Sequence, residues 1–170
     1  YMGAKAAAQK AYGSDSLAGK RVVVQGAGNV ASYFAEHCAK EGAKVFVTDI
    51  YTKKAEALAK KIGATLVDPD SIYGLDMDIF APCALGGVVN DDTIDQFKCA
   101  IIAGGANNIL DNEDVHGQML MDRGIIYAPD YVINAGGIIN ISSELEGYNR
   151  QQALNQTEKI YDTTLNVLEY

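Results

Sequence analysis

The sequence predicts an α/β fold, a doubly wound and mostly parallel sheet with helices on both faces. Three observations carry that expectation. Short β-branched runs alternate with helical stretches of crossover length, the pattern of βαβ units covered on both sides. A glycine-rich turn joins the first such run to the helix after it. The later candidate strands each end in a Gly- or Asn-rich loop, at the carboxyl edge where sheets of this kind bind ligands.

The elements follow in order. "MGAKAAAQKAY" is helical by propensity, and Gly13 suits its left-handed end. "RVVVQG" is apolar, β-branched and short, as a buried parallel strand should be. Val30, Phe34 and Cys38 recur at i, i+4 and i+8 and are expected to form one buried helix face, which Gly42 ends. "KVFVTD" is a second strand, Thr52 is expected to cap the helix "KKAEALAKKI", and Gly63 closes it. After "ATLVD" come three strand-plus-loop segments, "MDIFAPCALGG", "CAIIAGGANN" and "GIIYAPDYVINAGG". Helices are expected over residues 91–97 and 112–123 and from about Gly137 onward. The chain thus divides into a leading helix (1–19), a binding domain (20–147) and a C-terminal helix (148–170).

Composition narrows the function classes. A net charge of −8 disfavours nucleic acid and anionic membranes as partners, since both require clustered Lys and Arg. No apolar run approaches the ~18 residues of a membrane span. Cys38, Cys83 and Cys99 form no CxxC pair and fit a reducing, cytoplasmic setting; no metal site is expected. The start "YMGAKAAAQKAYG" lacks a secretory apolar core and reads as the middle of a helix, so a fragment of a longer chain is expected.

"GAGNVA" matches G-x-G-x-x-[GA] at Gly26, Gly28 and Ala31. Gly26 suits the tight turn, Gly28 lets backbone approach a pyrophosphate, and Ala31 allows close helix–strand packing. The helix starting near Asn29 aims its free N–H groups at the phosphates. Asp49 ends the next strand about 20 residues on, where a carboxylate accepts ribose hydroxyls and repels a 2′-phosphate, favouring NAD over NADP. Lys53 and Lys54 weaken that preference slightly, because a flexible Lys can reach a phosphate. Cys83 has no motif relation to His37 or His116 and reads as a structural thiol. Asn107 and Asn108 can hydrogen-bond a carboxamide or carboxylate, or serve only as turn residues. "NAGGIIN" repeats the theme, with Ile138 and Ile141 either facing one side together or packing in the core.

Taken in order, "VQGAGNVA", "VTDI", "DIFAPCALGG", "IAGGANN", "YAPDYVINAGGIIN" and "ELEGYN" resemble the cofactor-binding domain of the glutamate/leucine/phenylalanine/valine dehydrogenase superfamily, its leucine branch most closely. The resemblance covers essentially the whole chain. It implies a Rossmann-like domain holding NAD through Gly26, Ala27, Gly28, Asn29, Val30, Ala31, Ser32, Asp49 and Ile50. Ala81, Pro82, Cys83, Ala84 and Leu85 would line the cofactor, Ala106 and Asn107 would sit by the nicotinamide ribose, and Asn134 by the nicotinamide. Asn108 would touch the amino-acid substrate, and Ile138 and Ile141 would line its side-chain pocket. The family's catalytic Lys and Asp lie in an N-terminal domain that maps onto nothing here, and Lys20 and Asp130 match them in type but not in motif. The implied activity of the parent enzyme is reversible oxidative deamination of a branched-chain L-amino acid by a homo-oligomer; the rival reading is a stand-alone, non-catalytic dinucleotide-binding module.

Overall fold

The structure is a computed structural model that describes residues 1–136 and 150–169. Helix α1 (Met2–Tyr12) leads into strand β1 (Arg21–Gln25). Then come α2 (Asn29–Lys40), β2 (Lys44–Thr48), α3 (Thr52–Ile62), β3 (Thr65–Leu66) and β4 (Ile79–Pro82). The second half holds β5 (Ile101–Ile102), α4 (Glu113–Asp122), β6 (Ile126–Tyr127) and the short α5 (Asp130–Ile133). Helices α6 (Arg150–Glu158) and α7 (Ile160–Glu169) close the described chain.

The six strands form one sheet in the order β3-β2-β1-β4-β5-β6, with every pairing parallel. The chain starts in the middle and winds outward in both directions, so the order reverses between β1 and β4. Loops leaving those two strands part at that point and open a crevice above the carboxyl edge.

Alternate residues of β1 enter different cores. Val22 and Val24 pack with Ala4, Ala8, Phe34 and Ala35 on the face covered by α1 and α2, whereas Val23 packs with Phe80, Phe97, Ile102 and Leu120 on the other. Both faces of the strand are thus dry, which explains its uninterrupted valines. On the second face Tyr73, Phe80 and Phe97 meet in edge-to-face and tilted contacts with ring centroids 5.0–5.8 Å apart. Phe80 is fully buried, and truncating such a side chain to Ala costs about 3–5 kcal/mol.

Several expected details come out differently. Val30 is 58% exposed, and the buried face of α2 is Ala31, Phe34, Ala35 and Cys38, because the helix turns its first residues toward the crevice. Thr52 does not cap α3; it is the first helical residue, after Tyr51, and no side chain caps that end. Residues 91–97 hold a single 3₁₀ turn, Ile94–Gln96, since Asn90 and Thr93 bond locally and compete with a longer helix. The C-terminal segment forms two helices meeting at Lys159. Asn112 does cap α4, accepting from the Val115 N–H at 3.2 Å.

Candidate functional site

At the end of β1 the chain reverses through Gly26, whose φ of 113° is a left-handed value that disfavours any side chain. A Cβ there would lie 3.1 Å from the Cys83 carbonyl oxygen and 3.2 Å from Ala84 Cβ. The Gly26 N–H donates to the Thr48 carbonyl at 2.7 Å, tying the turn to β2. Gly28 has an ordinary extended conformation, and a Cβ built on it would meet nothing within 4 Å. Its value is therefore the bare space above the backbone. No side chain caps α2, so the N–H groups of its first turn face that space without a partner from their own helix.

Asp49 braces this loop from the neighbouring strand. Its Oδ2 accepts the Ala27 N–H and its Oδ1 accepts the Tyr51 N–H, both at 2.7 Å. The carboxylate is half-exposed, so lone pairs remain for a ligand. Lys54, one of the two candidate counter-charges, has its Nζ 4.9 Å from the Tyr51 ring centroid.

Two cavities flank the glycine turn. The smaller, about 260 Å³, lies on the β2 side and is lined by Gln25, Thr48, Asp49, Ile50, Tyr73 and Leu85 among others. Ile50 and Leu85 stand 77% and 72% exposed at its mouth, two apolar surfaces suited to a flat ring. The larger, about 630 Å³, lies on the β5 side, with Val30, Tyr33, Gly105, Asn107, Ile133 and Asn134 on its walls.

The second cavity is mostly apolar and aromatic, with the Asn107 and Asn134 amides in its wall. Asn134 Nδ2 donates to the Ala106 carbonyl at 2.8 Å and to Asn107 Oδ1 at 3.0 Å. Asn108 takes a left-handed φ of 51° and its carbonyl accepts the Gly87 N–H at 2.7 Å, so the turn reading and an exposed amide hold together. A Cβ on Gly86 would come within 2.5 Å of the Asn107 carbonyl oxygen and 2.7 Å of the Asn108 oxygen, which locks the loop after β4 against the loop after β5.

The residues singled out by sequence thus separate into two sets. Gly28, Asn29, Val30, Ile50, Ala84, Leu85, Asn107 and Asn108 are exposed at the crevice, while Ala27, Ala31, Ala81, Pro82 and Ala106 are buried behind it. Ser32 sits one turn into α2, half-buried. Ala81 lies inside the sheet, and Ala81, Pro82, Cys83, Ala106 and Asn108 line neither cavity. Ile138 and Ile141 fall outside the described residues.

Cys83 accepts the Gly105 N–H on Sγ at 3.3 Å, and burial pushes its thiol pKa up, away from the thiolate that nucleophilic chemistry needs. His37 stacks on Tyr1 with centroids 5.0 Å apart, and His116 is buried on α4 against Asn112 and Asp91. Lys20 lies over the Tyr12 ring, and Asp130 accepts the Ile109 and Tyr131 N–H groups. Sequence reasoning missed Gln25, Thr48 and Tyr73 in the smaller cavity and Tyr1, Tyr33 and Ile133 in the larger. A polar Gln directly after three buried valines was the one available signal. Gln25 Oε1 and Thr48 Oγ1 are buried there with no hydrogen-bond partner among the described residues.

Comparison with known proteins fits this geometry. The model of the Glutamate/Leucine/Phenylalanine/Valine dehydrogenase family matches residues 2–51 and 47–168. The chain is 54% identical to the leucine dehydrogenase of Thermoactinomyces intermedius, over 99% of this chain and 46% of that protein. It is 48% identical to an L-tryptophan dehydrogenase of Nostoc punctiforme, over 99% of this chain and 48% of that protein. The crystal structure of an L-tryptophan dehydrogenase from Nostoc punctiforme superposes with a TM-score of 0.96 at 49% identity, covering 99% of this chain and 51% of that one. A hetero-hexameric glutamate dehydrogenase from Thermus thermophilus, at 22% identity and a TM-score of 0.72, shares the fold over 97% of this chain and 45% of its own. The chain spans about half the length of the relatives it matches. No described helix is long and apolar enough to cross a membrane. This chain belongs to the Glutamate/Leucine/Phenylalanine/Valine dehydrogenase family.

Proposed function

We propose that the chain is the NAD-binding domain of an amino-acid dehydrogenase that reversibly deaminates a branched-chain L-amino acid, leucine first, to its 2-oxo acid, ammonium and NADH. The observation that carries this reading is the Asp49 carboxylate at the end of β2, braced on both oxygens beside the bare Gly28 backbone and the uncapped start of α2. That combination suits a ribose diol and a pyrophosphate, and its negative charge disfavours a 2′-phosphate. The adenosine half fits the smaller cavity between Ile50 and Leu85, and the nicotinamide half fits the larger one beside Asn107 and Asn134. When bound, the dinucleotide supplies the hydride acceptor for substrate Cα.

This chain's own contribution is positional. The α2 N–H groups and Asp49 hold the phosphates and ribose. The Asn134–Asn107 pair fixes the second cavity, and Asn108 is exposed where a substrate carboxylate would reach it. Lys20 and Asp130 are engaged elsewhere, so the acid–base Lys and Asp are assigned to the part of the relatives outside this chain. The chain alone is expected to bind without turnover. Residues 20–147 are read as the binding domain, with α1 leading in and α6 and α7 following. The leucine preference is supported by identity to leucine dehydrogenase above that to a phenylalanine dehydrogenase, 54% against 45%. The complete enzyme is read as a cytoplasmic homo-oligomer.

Calorimetric titration of the chain with NAD and, separately, NADP tests the core of this reading. NAD should bind with a Kd in the micromolar-to-submillimolar range and NADP at least tenfold more weakly, about 1.4 kcal/mol. Binding of neither, or a preference for NADP, overturns it. Within the complete enzyme, faster reduction of NAD with phenylalanine or tryptophan than with leucine overturns the substrate. A stand-alone module would bind NAD yet sustain no turnover in any chain that contains it.

A further inference from the structure

We infer that Gly3, on α1, is a positioning residue for the nicotinamide half of the site, acting through Ile133 on Asn134; the inference rests on the assignment of the larger cavity proposed above.

Gly3 is buried in an alanine-rich helix and has no left-handed φ, so its backbone conformation gives no reason for a glycine. Glycine is a poor helix former beside the alanines that follow. Contact supplies the reason. A Cβ built on Gly3 would overlap Ile133 Cγ2 and lie 2.8 Å from Ile133 Cβ, so Ile133 occupies the space that a side chain would fill. Ile133 is the last residue of α5, and Asn134 comes next. The other end of α5 is held by Asp130, whose carboxylate accepts the Ile109 and Tyr131 N–H groups. The Asn134 N–H donates to the Asp130 carbonyl at 2.9 Å, and its side chain bridges Ala106 and Asn107. Ile133 and Asn134 line the larger cavity together with Ala4, the neighbour of Gly3.

The link is short and stiff. Ile133 is β-branched, with one strongly preferred χ1 in a helix, so it cannot swing aside freely. Pushed outward, it carries the following residue with it. A shift of about 1 Å is enough to stretch the 2.8 Å bond from Asn134 to the Ala106 carbonyl beyond hydrogen-bond range.

The test uses this chain, with ADP-ribose as the probe that lacks the nicotinamide ring. Gly3→Ala should weaken NAD by at most about fivefold, the loss expected when the bonds of Asn134 are broken, while leaving ADP-ribose within about twofold of the unaltered chain. Adding Ile133→Gly to Gly3→Ala removes both Cγ2 and the Cβ at 2.8 Å and should return NAD binding most of the way. A merely structural Gly3 would lower both ligands together, and that result overturns the inference, as does equal affinity of the unaltered chain for NAD and ADP-ribose.

The nitrogen-15 NMR signals of the Asn134 side-chain amide give a second readout that needs no ligand. They should move in Gly3→Ala and move back in the double variant. Should Gly3→Ala fail to fold, Ile133→Ala alone leaves a void at the seat and should still move them. Unmoved Asn134 signals overturn the inference in either variant. If the unaltered chain binds neither ligand, the proposed function falls instead, and the Asn134 signals still decide the positioning link.

Discussion

The β1–β2 half of the sheet and the β4–β5–β6 half build their edges of the crevice by different means. Strands β1 and β2 run five residues each in continuous register, from Arg21 opposite Lys44 to Gln25 opposite Thr48. Strands β5 and β6 are two residues each; a long loop follows β5, and the short α5 follows β6 almost at once. On the first side the groups aimed at the crevice are mostly backbone, a glycine turn and a helix start, braced by the single carboxylate of Asp49. On the second side they are amide side chains, Asn107, Asn108 and Asn134, whose aim depends on contacts between loops. The difference follows from what each side would recognise. Phosphate needs only N–H donors and a positive helix end, which a regular strand–turn–helix already provides. Orienting a ring or a substrate needs side chains, and irregular loops hold side chains in place only through tertiary contacts.

Gly26→Ala is the strongest attack on the first side. Its φ of 113° and the Cys83 carbonyl at 3.1 Å leave no room for a Cβ without displacing the turn. Strain of this type costs about 1–3 kcal/mol, and misplacing the phosphate donors should cost ~100-fold in affinity. Titration should show NAD and ADP-ribose falling together. Loss of NAD alone would break the division between the two sides.

Asp49→Asn is the next largest. Asn keeps one acceptor oxygen for two N–H groups, so either Ala27 or Tyr51 loses its partner. NAD should weaken about tenfold through the lost charge-assisted bonds, with ADP-ribose weakening equally. The preference over NADP should shrink as well, since the repelling charge is gone. Competition between NAD and NADP on the variant measures this, and an undiminished preference would show that Asp49 does not read the ribose.

The same division explains what could be read from the sequence. The turn at Gly26, the open backbone at Gly28 and the carboxylate at Asp49 are fixed by residue type at fixed spacing inside one βαβ unit, so they were legible. So was the parallel sheet, through the buried valines of β1. The helix face including Val30 was misread because periodicity reports which residues share a face, and the first turn of α2 belongs to the crevice. The expected helix over 91–97 collapsed to a 3₁₀ turn because Asn90 offers the backbone nearer partners. Tyr73 and Ile133 carry no local signal at all. They reach the cavities only because a 3₁₀ turn (Ile72–Gly74) and α1 place them there. Ile138 and Ile141 lie outside the described residues and add nothing to either side.

Asn134→Ala attacks the second side alone. It removes the donor to Ala106 and Asn107 while leaving every group of the glycine turn in place. A neutral hydrogen bond contributes about 1 kcal/mol, so NAD should weaken about fivefold and ADP-ribose should not change. Equal loss of both ligands would mean that the two sides are not separable.

The smallest effect is expected at the seam between them. Cys83 touches both sides, donating its N–H to the Gln25 carbonyl at 2.8 Å and accepting the Gly105 N–H on sulfur. Cys83→Ala deletes only the weak sulfur acceptor, at an expected cost of ~1 kcal/mol in stability, with both ligands within about twofold. Because burial pushes the thiol pKa up, alkylation of the unaltered chain at neutral pH should also be slow compared with free cysteine. Thermal unfolding and titration of Cys83→Ala measure the first claim, and the rate of iodoacetamide labelling measures the second. A loss of NAD as large as that expected for Gly26→Ala would relocate the decisive contact from the two sides to the seam, since the backbone bonds of Cys83 survive the substitution and only its sulfur would then join the turn to the amides.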